Sequence, residues 1–394
     1  MLILSIETSC DETAISIIET AGDFPHATYK VLGDALSSQM EQHREYGGVF
    51  PSVAKREHVA KLIPILEKAL AEANIPSLKD IDDDTAHTHT LFPETKERIE
   101  RLLEREGDLA RELLAFFAQY DTPAIDLIAV TEGPGLEPAL WVGINFAKAL
   151  ALLWNVPVIG VNHMEGHIFS SLFDGTEITD IAFPAVALLI SGGHTELVLM
   201  KEWGSYELIG RTRDDAVGEA FDKVARTLGL PYPGGPEISK RADAQRQKNL
   251  PKTNTFPRPM LASNDCDFSF SGLKTAVLYR VKDVALSEEM KEEIAEGFED
   301  AVTEVLLKKT VRAIETYGAR TVILGGGVSA NKHIRRTFEA VFATEHPDVT
   351  LFLPNPRLTT DNAVMIALAG HALYSQKGIP DKEILAWGNK HQSW

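Results

Sequence analysis

The stretch that most constrains the fold runs from residue 126 to residue 163, DLIAVTEGPGLEPALWVGINFAKALALLWNVPVIGVNH. It contains a short apolar run, a Gly-Pro turn, an apolar segment of helical length and a second apolar run. That order predicts a strand, a helix and another strand. Strands that alternate with helices in this way are typical of an α/β fold.

Other segments repeat the alternation. The N-terminal LILSIETS predicts a strand, and TAISII at residues 13–18 predicts its hairpin partner. An apolar stripe from Val59 to Leu70 predicts a helix. The segment AVALLISGGHTELVLM predicts two strands joined by a glycine turn. The segment RTVILGGGVSANKHIRRTFEAVF predicts a strand, a glycine loop and a helix, and DNAVMIALAGHALY predicts a final helix.

Length and composition favour a protein of two lobes in the cytoplasm. A chain of 394 residues is too long for one typical domain. No apolar run reaches the roughly 18 to 20 residues of a membrane span, and the first residues predict a buried strand rather than a signal peptide. The two cysteines, Cys10 and Cys266, do not make a disulfide scaffold, which favours a reducing compartment.

The formal charge of −18 argues against a broad surface for nucleic acid, which is normally basic. A local basic patch, or a partner that supplies one, stays compatible with this charge.

Residues 80–124 interrupt the α/β pattern. They begin acidic and polar and continue as a charged amphipathic segment between Pro93 and Pro123. We expect an insertion of one or two surface helices. The expected apolar side consists of Leu102, Leu103, Leu109, Leu113, Leu114, Phe116 and Phe117. The HTHT run with His87 and His89 could bind a metal, but an exposed loop is the simpler interpretation.

Two histidines, His163 and His167, are spaced four apart and share one face of a predicted helix. They could bind one metal, and imidazole suits Zn or Fe. The alternative is a pair of hydrogen-bonded histidines at a helix interface. Asp361, at the head of the last predicted helix, could supply a third ligand or serve as the N-cap of that helix.

Glu165 separates this histidine pair from the zinc-protease pattern. That pattern needs a glutamate directly after the first histidine, where this chain has Met164. On a helix, Glu165 points away from the face that the histidines share. A metalloprotease is therefore disfavoured.

Three glycine loops predict a nucleotide site: SGGHT from Ser191, YPGGPEISK from Tyr232 and GGGVSAN from Gly325. Glycine allows the backbone to approach a phosphate, and helix N-termini attract anions. None of the loops matches the dinucleotide fingerprint or the P-loop. Asp222, in a charged helix, could lie near a ribose or could belong to a solvated face.

The sequence resembles the tRNA N6-adenosine threonylcarbamoyltransferase family of bacterial type, formerly labelled O-sialoglycoprotein endopeptidase. The matching words run in family order over nearly the whole chain outside residues 80–124. They are SIETSCDETA, GGVFPSVAKREHV, VTEGPGLEPALWVGINFAKALA, NHMEGH, LISGGHTEL, DDAVGEAFDKVARTLGLPYPGGP, FSFSGLKTAV, GGGVSAN and TDNAVMIA.

This resemblance implies the two-lobed actin-like ATPase fold, with the insertion in the first lobe. We expect a first lobe of residues 1–160 plus about 362–394 and a second lobe of residues 161–361, with the nucleotide and metal cleft between them. The implied reaction transfers a threonylcarbamoyl group from threonylcarbamoyl-AMP to N6 of the adenosine beside the anticodon, in tRNAs that read A-starting codons.

The resemblance also implies site residues and partners. The metal, one divalent ion with iron preferred to zinc, would be bound by His163, His167 and Asp361. The implied adenylate-binding residues are Leu189, Ile190, Ser191, Gly192, Gly193, Asp222, Gly235 and Asn331. His194 and Glu12 are hypotheses for proton transfer. The expected partners are a paralogue without the metal site, which forms a heterodimer, and a small P-loop ATPase.

Two alternatives share this fold class. A sugar or acetate kinase would need Mg-dependent ATP turnover and no His-His-Asp metal site. A non-catalytic scaffold would be expected to lose the histidine pair, which this chain retains.

Overall fold

The computed structural model describes residues 1–75, 91–251, 255–388 and 394, so His87 and His89 lie outside the described residues. The chain divides into two compact units. The first contains Met1–His43, Val49–Thr179 and Asp361–Ser393, and the second contains Arg44–Gly48, Asp180–Thr360 and Trp394. Within the described ranges, no helix has both the length and the apolar character to cross a membrane.

Ten strands and twelve α-helices lie in the described residues. The strands are β1 (Leu2–Glu7), β2 (Glu12–Ala21), β3 (Thr28–Ser38), β4 (Leu127–Gly133), β5 (Val158–Asn162), β6 (Ala185–Ile190), β7 (Thr195–Glu202), β8 (Ser205–Arg211), β9 (Thr321–Gly325) and β10 (Thr350–Phe352). The helices are α1 (Met40–Arg44), α2 (Pro51–Glu72), α3 (Pro93–Leu102), α4 (Gly107–Gln119), α5 (Glu137–Trp154), α6 (His163–Leu172), α7 (Val217–Thr227), α8 (Gly234–Gln247), α9 (Ser271–Val281), α10 (Glu288–Tyr317), α11 (Lys332–Glu345) and α12 (Ala363–Lys377).

The sheet of the first unit has the strand order β3-β2-β1-β4-β5. Strands β1 and β2 pair antiparallel, which confirms the predicted N-terminal hairpin. Strands β4 and β5 run parallel to β1 and are joined by α5, which confirms the strand–helix–strand prediction. The carboxyl ends of β1, β4 and β5 therefore meet at one edge of the sheet, the usual position of ligand sites in α/β folds.

Helices α6 and α12 pack closely beside this edge. A Cβ added at Gly166 in α6 would lie only 3.0 Å from Cγ of Met365 in α12, so glycine permits the approach. The Ser5 hydroxyl of β1 donates to the Ala363 carbonyl oxygen at 2.6 Å and fixes the start of α12. As a result, Asp361 is held beside the first turn of α6.

The unit boundaries differ from the expected ones because of this packing. Residues 161–179 group with the first unit, since β5 pairs with β4 and α6 packs on α12. Asp361 also belongs to the first unit rather than to the second. The two histidines and Asp361 therefore lie within one unit.

The insertion folds as two helices, α3 and α4, joined by a short 3-10 turn, which confirms the helical prediction for its described part. Its apolar side packs on α2 and α5. The larger buried apolar side chains on it are Ile99, Leu103, Leu109, Leu113, Phe116 and Phe117. Leu102 and Leu114, also expected on that side, are only half-buried. Charged residues fill the outer face, so the insertion is an integral layer of the first unit.

The second unit has a sheet with the strand order β10-β9-β6-β7-β8. Strands β6 and β7 form the predicted antiparallel pair, and β9 and β10 continue the sheet in parallel. After β9 the chain turns at Gly326, where φ is +86° and an added Cβ would lie 2.5 Å from the Ile190 carbonyl oxygen. Glycine is required there, and the loop then leads into α11, as predicted.

A buried histidine of α2 holds the loop that follows β1. His58 Nε2 lies 3.1 Å from the Cys10 carbonyl oxygen, and His58 Nδ1 lies 2.8 Å from the Thr13 hydroxyl. Burial lowers the pKa of His58 to about 4. The ring is therefore neutral at pH 7, with Nε2 donating to Cys10 and Nδ1 accepting from Thr13.

We predict a loss of stability in mild acid that depends on His58. Its folded-state pKa lies below the unfolded value of about 6.5, so the unfolded chain takes up the proton first as the pH falls. Stability is lost between about pH 6.5 and 4. From pH 7.5 to 5 this one residue should lower the free energy of unfolding by about 2 kcal/mol. Denaturant unfolding in EDTA would measure the effect against His58→Gln. A difference between the two proteins that does not change with pH would contradict it.

Candidate metal centre

The histidine pair is placed by the start of α6. Asn162 caps this helix, because its side-chain oxygen accepts from the backbone N–H groups of Met164 at 2.8 Å and Glu165 at 3.3 Å. His163 is the first helical residue and His167 lies one turn later on the same face, with the ring centroids 4.7 Å apart. Both side chains are buried.

Asp361 completes a group of three. Its Oδ1 lies 3.4 Å from His163 Nε2 and 3.2 Å from His167 Nε2. One ligand atom from each residue lies within 4.8 Å of the other two. Asn362, not Asp361, caps α12 by accepting from the Met365 N–H at 2.9 Å. The alternative role of Asp361 as an N-cap is therefore taken by its neighbour.

The state of His167 fits a metal ligand. Its side chain has no exposed surface, and neither ring nitrogen has a hydrogen-bond partner among the described residues. The short approach to Asp361 does not have the geometry of a hydrogen bond. Buried polar atoms are nearly always satisfied, so two unpaired nitrogens on one buried ring call for an explanation. A cation bound at Nε2 would satisfy one of them, and two imidazoles with a carboxylate suit Zn or Fe.

The charges of the three residues balance one another. Burial would lower the pKa of His163, but Asp361 and Glu7 raise it well above its ordinary value. Burial would raise the pKa of Asp361, but the neighbouring imidazoles, His163 first, hold it well below its usual range. For His167, burial lowers the pKa. A cation that binds here would take the place of the His163 proton.

Glu7 is a site residue that the sequence analysis did not identify as such. It ends β1, is fully buried, and its Oε2 lies 3.1 Å from His163 Nδ1. The Thr131 hydroxyl donates to the same oxygen at 2.5 Å, and the Ser9 N–H donates to Oε1 at 2.5 Å. The bond between Glu7 and His163 Nδ1 fixes the imidazole ring so that Nε2 faces Asp361. Carboxylates commonly orient metal-binding histidines in this way. A glutamate inside a buried strand was the available signal.

The two hypotheses for proton transfer lie in different units. Glu12 opens β2, and the Ser38 hydroxyl donates to it at 3.4 Å. Burial raises the pKa of Glu12 well above its ordinary value, and the carboxylates of Asp11 and Asp361 add to the effect. His194 lies in the turn between β6 and β7, where its N–H donates to the Ser191 hydroxyl at 3.1 Å.

The residues expected to bind adenylate all lie in the second unit. Leu189 and Ile190 end β6, and Ser191, Gly192 and Gly193 form the turn that follows. Asp222 of α7 accepts from the Gly234 N–H at 2.7 Å and so ties α7 to the start of α8. Gly235, next in α8, faces open space.

Asn331, the last of that group, is held from four sides. Its Oδ1 accepts from His333 and Ile334 N–H, and its Nδ2 donates to Ser239 Oγ and Glu299 Oε1 at 2.7 Å each. A carboxamide has two donors and two acceptor sites, so this side chain is fully used. The buried carboxylate of Glu299 also accepts a hydrogen bond from the Ser239 hydroxyl at 2.7 Å. Glu299 is therefore a second positioning residue that the sequence did not indicate.

The α/β fold and this His-His-Asp group, with both histidines buried and Asp361 partly exposed, define a candidate metal-binding protein. The family model described as tRNA N6-adenosine threonylcarbamoyltransferase matches residues 30–83 and 100–368. The chain therefore belongs to this family, as the resemblance predicted. The internal unmatched stretch, residues 84–99, falls within the insertion, and residues 1–29 and 369–394 also lie outside the match.

Curated relatives agree with the family model. The tRNA N6-adenosine threonylcarbamoyltransferase of Bacillus licheniformis is 41% identical over 384 residues, which cover 97% of this chain and 94% of the relative. The enzyme of the same description from Bacillus subtilis strain 168 is 41% identical and covers 96% and 92%. The chain is thus an enzyme, a transferase of tRNA modification.

A solved structure supports the fold. Full-length HypF, crystallised in a phosphate- and nucleotide-bound form, matches with a TM-score of 0.54 at 10% identity. The match covers 96% of this chain and 47% of HypF. This likeness concerns the fold alone. Together with the family, it confirms the predicted α/β fold of the actin-like ATPase class.

We predict that Glu7→Gln weakens metal binding. The amide cannot hold the His163 ring as the carboxylate does, so affinity for Zn²⁺ or Fe²⁺ should fall about 10- to 100-fold. Competition with a chromophoric chelator would measure it. Glu132→Gln is the matched control, since Glu132 is a buried carboxylate of β4 that pairs with Lys382 instead. Equal affinity in wild type and Glu7→Gln, with both folded by circular dichroism, would contradict the role of Glu7.

Proposed function

We propose that the chain transfers the threonylcarbamoyl group from threonylcarbamoyl-AMP to N6 of the adenosine next to the anticodon, in tRNAs that read A-starting codons, and that it does so with a divalent metal. Family membership supports the group and the acceptor. The observation that carries the metal dependence is the buried group of His163, His167 and Asp361 with the unpaired nitrogens of His167.

The metal would be held by these three side chains. A divalent ion in this position would supply a Lewis acid for an oxygen of the carbamoyl or phosphate group, with iron preferred to zinc. Three protein ligands leave coordination positions open for substrate. Glu7 holds the orientation of His163, and the packing of α6 on α12 holds Asp361 beside both rings.

The adenylate would be bound in the second unit. The turn from Ser191 to Gly193 and the open start of α8 at Gly235 offer backbone to a phosphate. Asp222 would contact the ribose. All hydrogen-bonding groups of the Asn331 carboxamide already have protein partners, including Glu299. Asn331 would therefore lie beside the adenine without a hydrogen bond from its side chain.

In the transfer reaction, one bond forms and one bond breaks at the carbamoyl carbon. The N6 amine attacks the carbamoyl carbon, a C–N bond forms, the bond from that carbon to the phosphate oxygen breaks, and AMP leaves.

The amine proton needs an acceptor. Glu12 and His194 are the candidates, and single-turnover transfer by Glu12→Gln and His194→Ala would separate them, because loss of the acceptor should slow the chemical step about 100-fold or more.

We propose a cytoplasmic assembly for this activity. Its other members would be a paralogue without the metal site, which forms a heterodimer with this chain, and a small P-loop ATPase. The formal charge of −18 supports this arrangement, because an acidic chain gains from partners when it binds tRNA.

The direct test is transfer of labelled threonine. Unmodified tRNA, threonylcarbamoyl-AMP and the two partner proteins are combined with wild type, His163→Ala or His26→Ala. We expect label in tRNA with wild type and with His26→Ala, since His26 is an exposed histidine of the same unit, and background label with His163→Ala. Loss of a metal ligand removes both the ion and its Lewis acidity.

Two results would contradict the proposal. No label with wild type, when the partners are active with another member of the family, would refute the reaction. Full label with His163→Ala would leave the reaction standing and make the metal group structural.

A further inference from the structure

The negative charge of the chain is unevenly distributed. The first unit contains 15 Lys and Arg against 31 Asp and Glu, whereas the second contains 24 against 26. The excess of acidic residues therefore lies almost entirely in the first unit. A polyanion meets much less repulsion at the second unit.

Helix α9 lies in one of the basic segments of that unit. Residues 268–282, FSFSGLKTAVLYRVK, include Lys274, Arg280 and Lys282 and no acidic residue. Many cations of the unit pair with carboxylates, as Lys201 does with Glu207 and Lys248 with Glu292. Lys274 and Lys282, in contrast, form no ion pair with any residue that the structure describes.

Lys274 lies on α9 with two exposed apolar side chains, and Lys282 follows the end of the helix. Lys274 and Leu278 are spaced four apart and follow one stripe of α9, and Lys282 directly follows the last helical residue, Val281. Leu278 is 50% exposed and the adjacent Tyr279 is 71% exposed, while Leu273 and Val277 on the other side are buried. An exposed aromatic ring flanked by unpaired cations is the combination that binds single-stranded nucleic acid.

The helix is also held rigidly. Asp214 accepts from the Phe270 N–H at 2.8 Å and from the Ser271 hydroxyl at 2.7 Å, at the start of α9. Helix α9 packs against α7, which contains Asp222. The outer face of α9 is therefore fixed relative to a residue that we assign to the adenylate.

We propose that the exposed surface of α9 and its C-cap, to which Lys274, Tyr279 and Lys282 contribute, binds an unpaired segment of the tRNA. The lysines contact backbone phosphates, and the Tyr279 ring stacks on one unpaired base. This inference rests on the proposed function and adds a surface for its macromolecular substrate. The acceptor adenosine lies in a loop, so unpaired nucleotides are available on both sides of it.

The test measures binding of fluorescent unmodified tRNA to the complete assembly as a function of salt. For Lys274→Ala/Lys282→Ala, the slope of log K against log salt should become shallower by about 1.4, since each single-strand phosphate contact contributes about 0.7. For Tyr279→Ala, affinity should fall about 5- to 150-fold with the slope unchanged, and Tyr279→Phe should restore it.

Matched controls lie in the same unit. Lys201→Ala/Lys308→Ala removes two exposed lysines elsewhere, and Tyr317→Ala removes another partly exposed ring. Their tRNA affinity should differ from that of wild type by much less than the affinity of the α9 variants does. Each variant is also checked for AMP binding, metal content and assembly with its partners, none of which should change.

The outcomes separate this inference from the proposed function. If the wild-type assembly does not modify tRNA, the proposed function fails. If wild type modifies tRNA and the α9 variants bind it with unchanged affinity and slope, the inference is overturned. If the α9 variants lose a partner protein instead, the face is a protein-docking surface and the inference is again overturned.

Discussion

The hydrogen bond between Glu7 and His163 is the contact on which the candidate metal centre depends. It joins the carboxyl end of the first strand to the first residue of α6, 156 positions later. Because the bond uses Nδ1, the other ring nitrogen faces His167 and Asp361. Burial of four ionisable side chains in an apolar unit is costly unless their charges and hydrogen bonds are matched. Here Glu7 and Asp361 both pair with His163, while the ring nitrogens of His167 have no hydrogen-bond partner among the described residues.

In the second unit, too, a buried carboxylate orients a residue of the expected binding site. The buried carboxylate of Glu299 holds Asn331 and Ser239, as Glu7 holds His163. In both cases a residue expected to bind the metal or the adenylate is oriented by a buried carboxylate that had no assigned role. Glu7 lies within the matching word SIETSCDETA, and Glu299 lies outside the matching words. The metal group and the adenylate residues thus lie in separate units, each with its own buried support.

Much of the fold could be predicted from the sequence because it rests on local patterns. Apolar periodicity located the N-terminal hairpin, the β4–α5–β5 unit and the insertion helices, and the four-residue spacing identified His163 and His167. Glu7 could be noticed only as a glutamate in an otherwise apolar strand, a signal that does not reveal its partner. Glu299 is one of many glutamates in a long helix and has no such signal, and the partners of both residues are distant in sequence. The expected boundary at residue 161 and the observed grouping differ for a related reason: the pairing of β5 with β4 and the packing of α6 on α12 group residues 161–179 with the first unit. Residue type alone could not choose between Asp361 and Asn362 as the cap of α12.

The central claim is that one metal ion binds to His163, His167 and Asp361. Anomalous diffraction from crystals of the metal-loaded protein, recorded above and below the absorption edge of the metal, tests it most directly. The account predicts one strong peak at roughly 2.0 to 2.2 Å from a nitrogen of each histidine and an oxygen of Asp361. A peak elsewhere, or no peak at this group in crystals that contain one metal per chain, would contradict it.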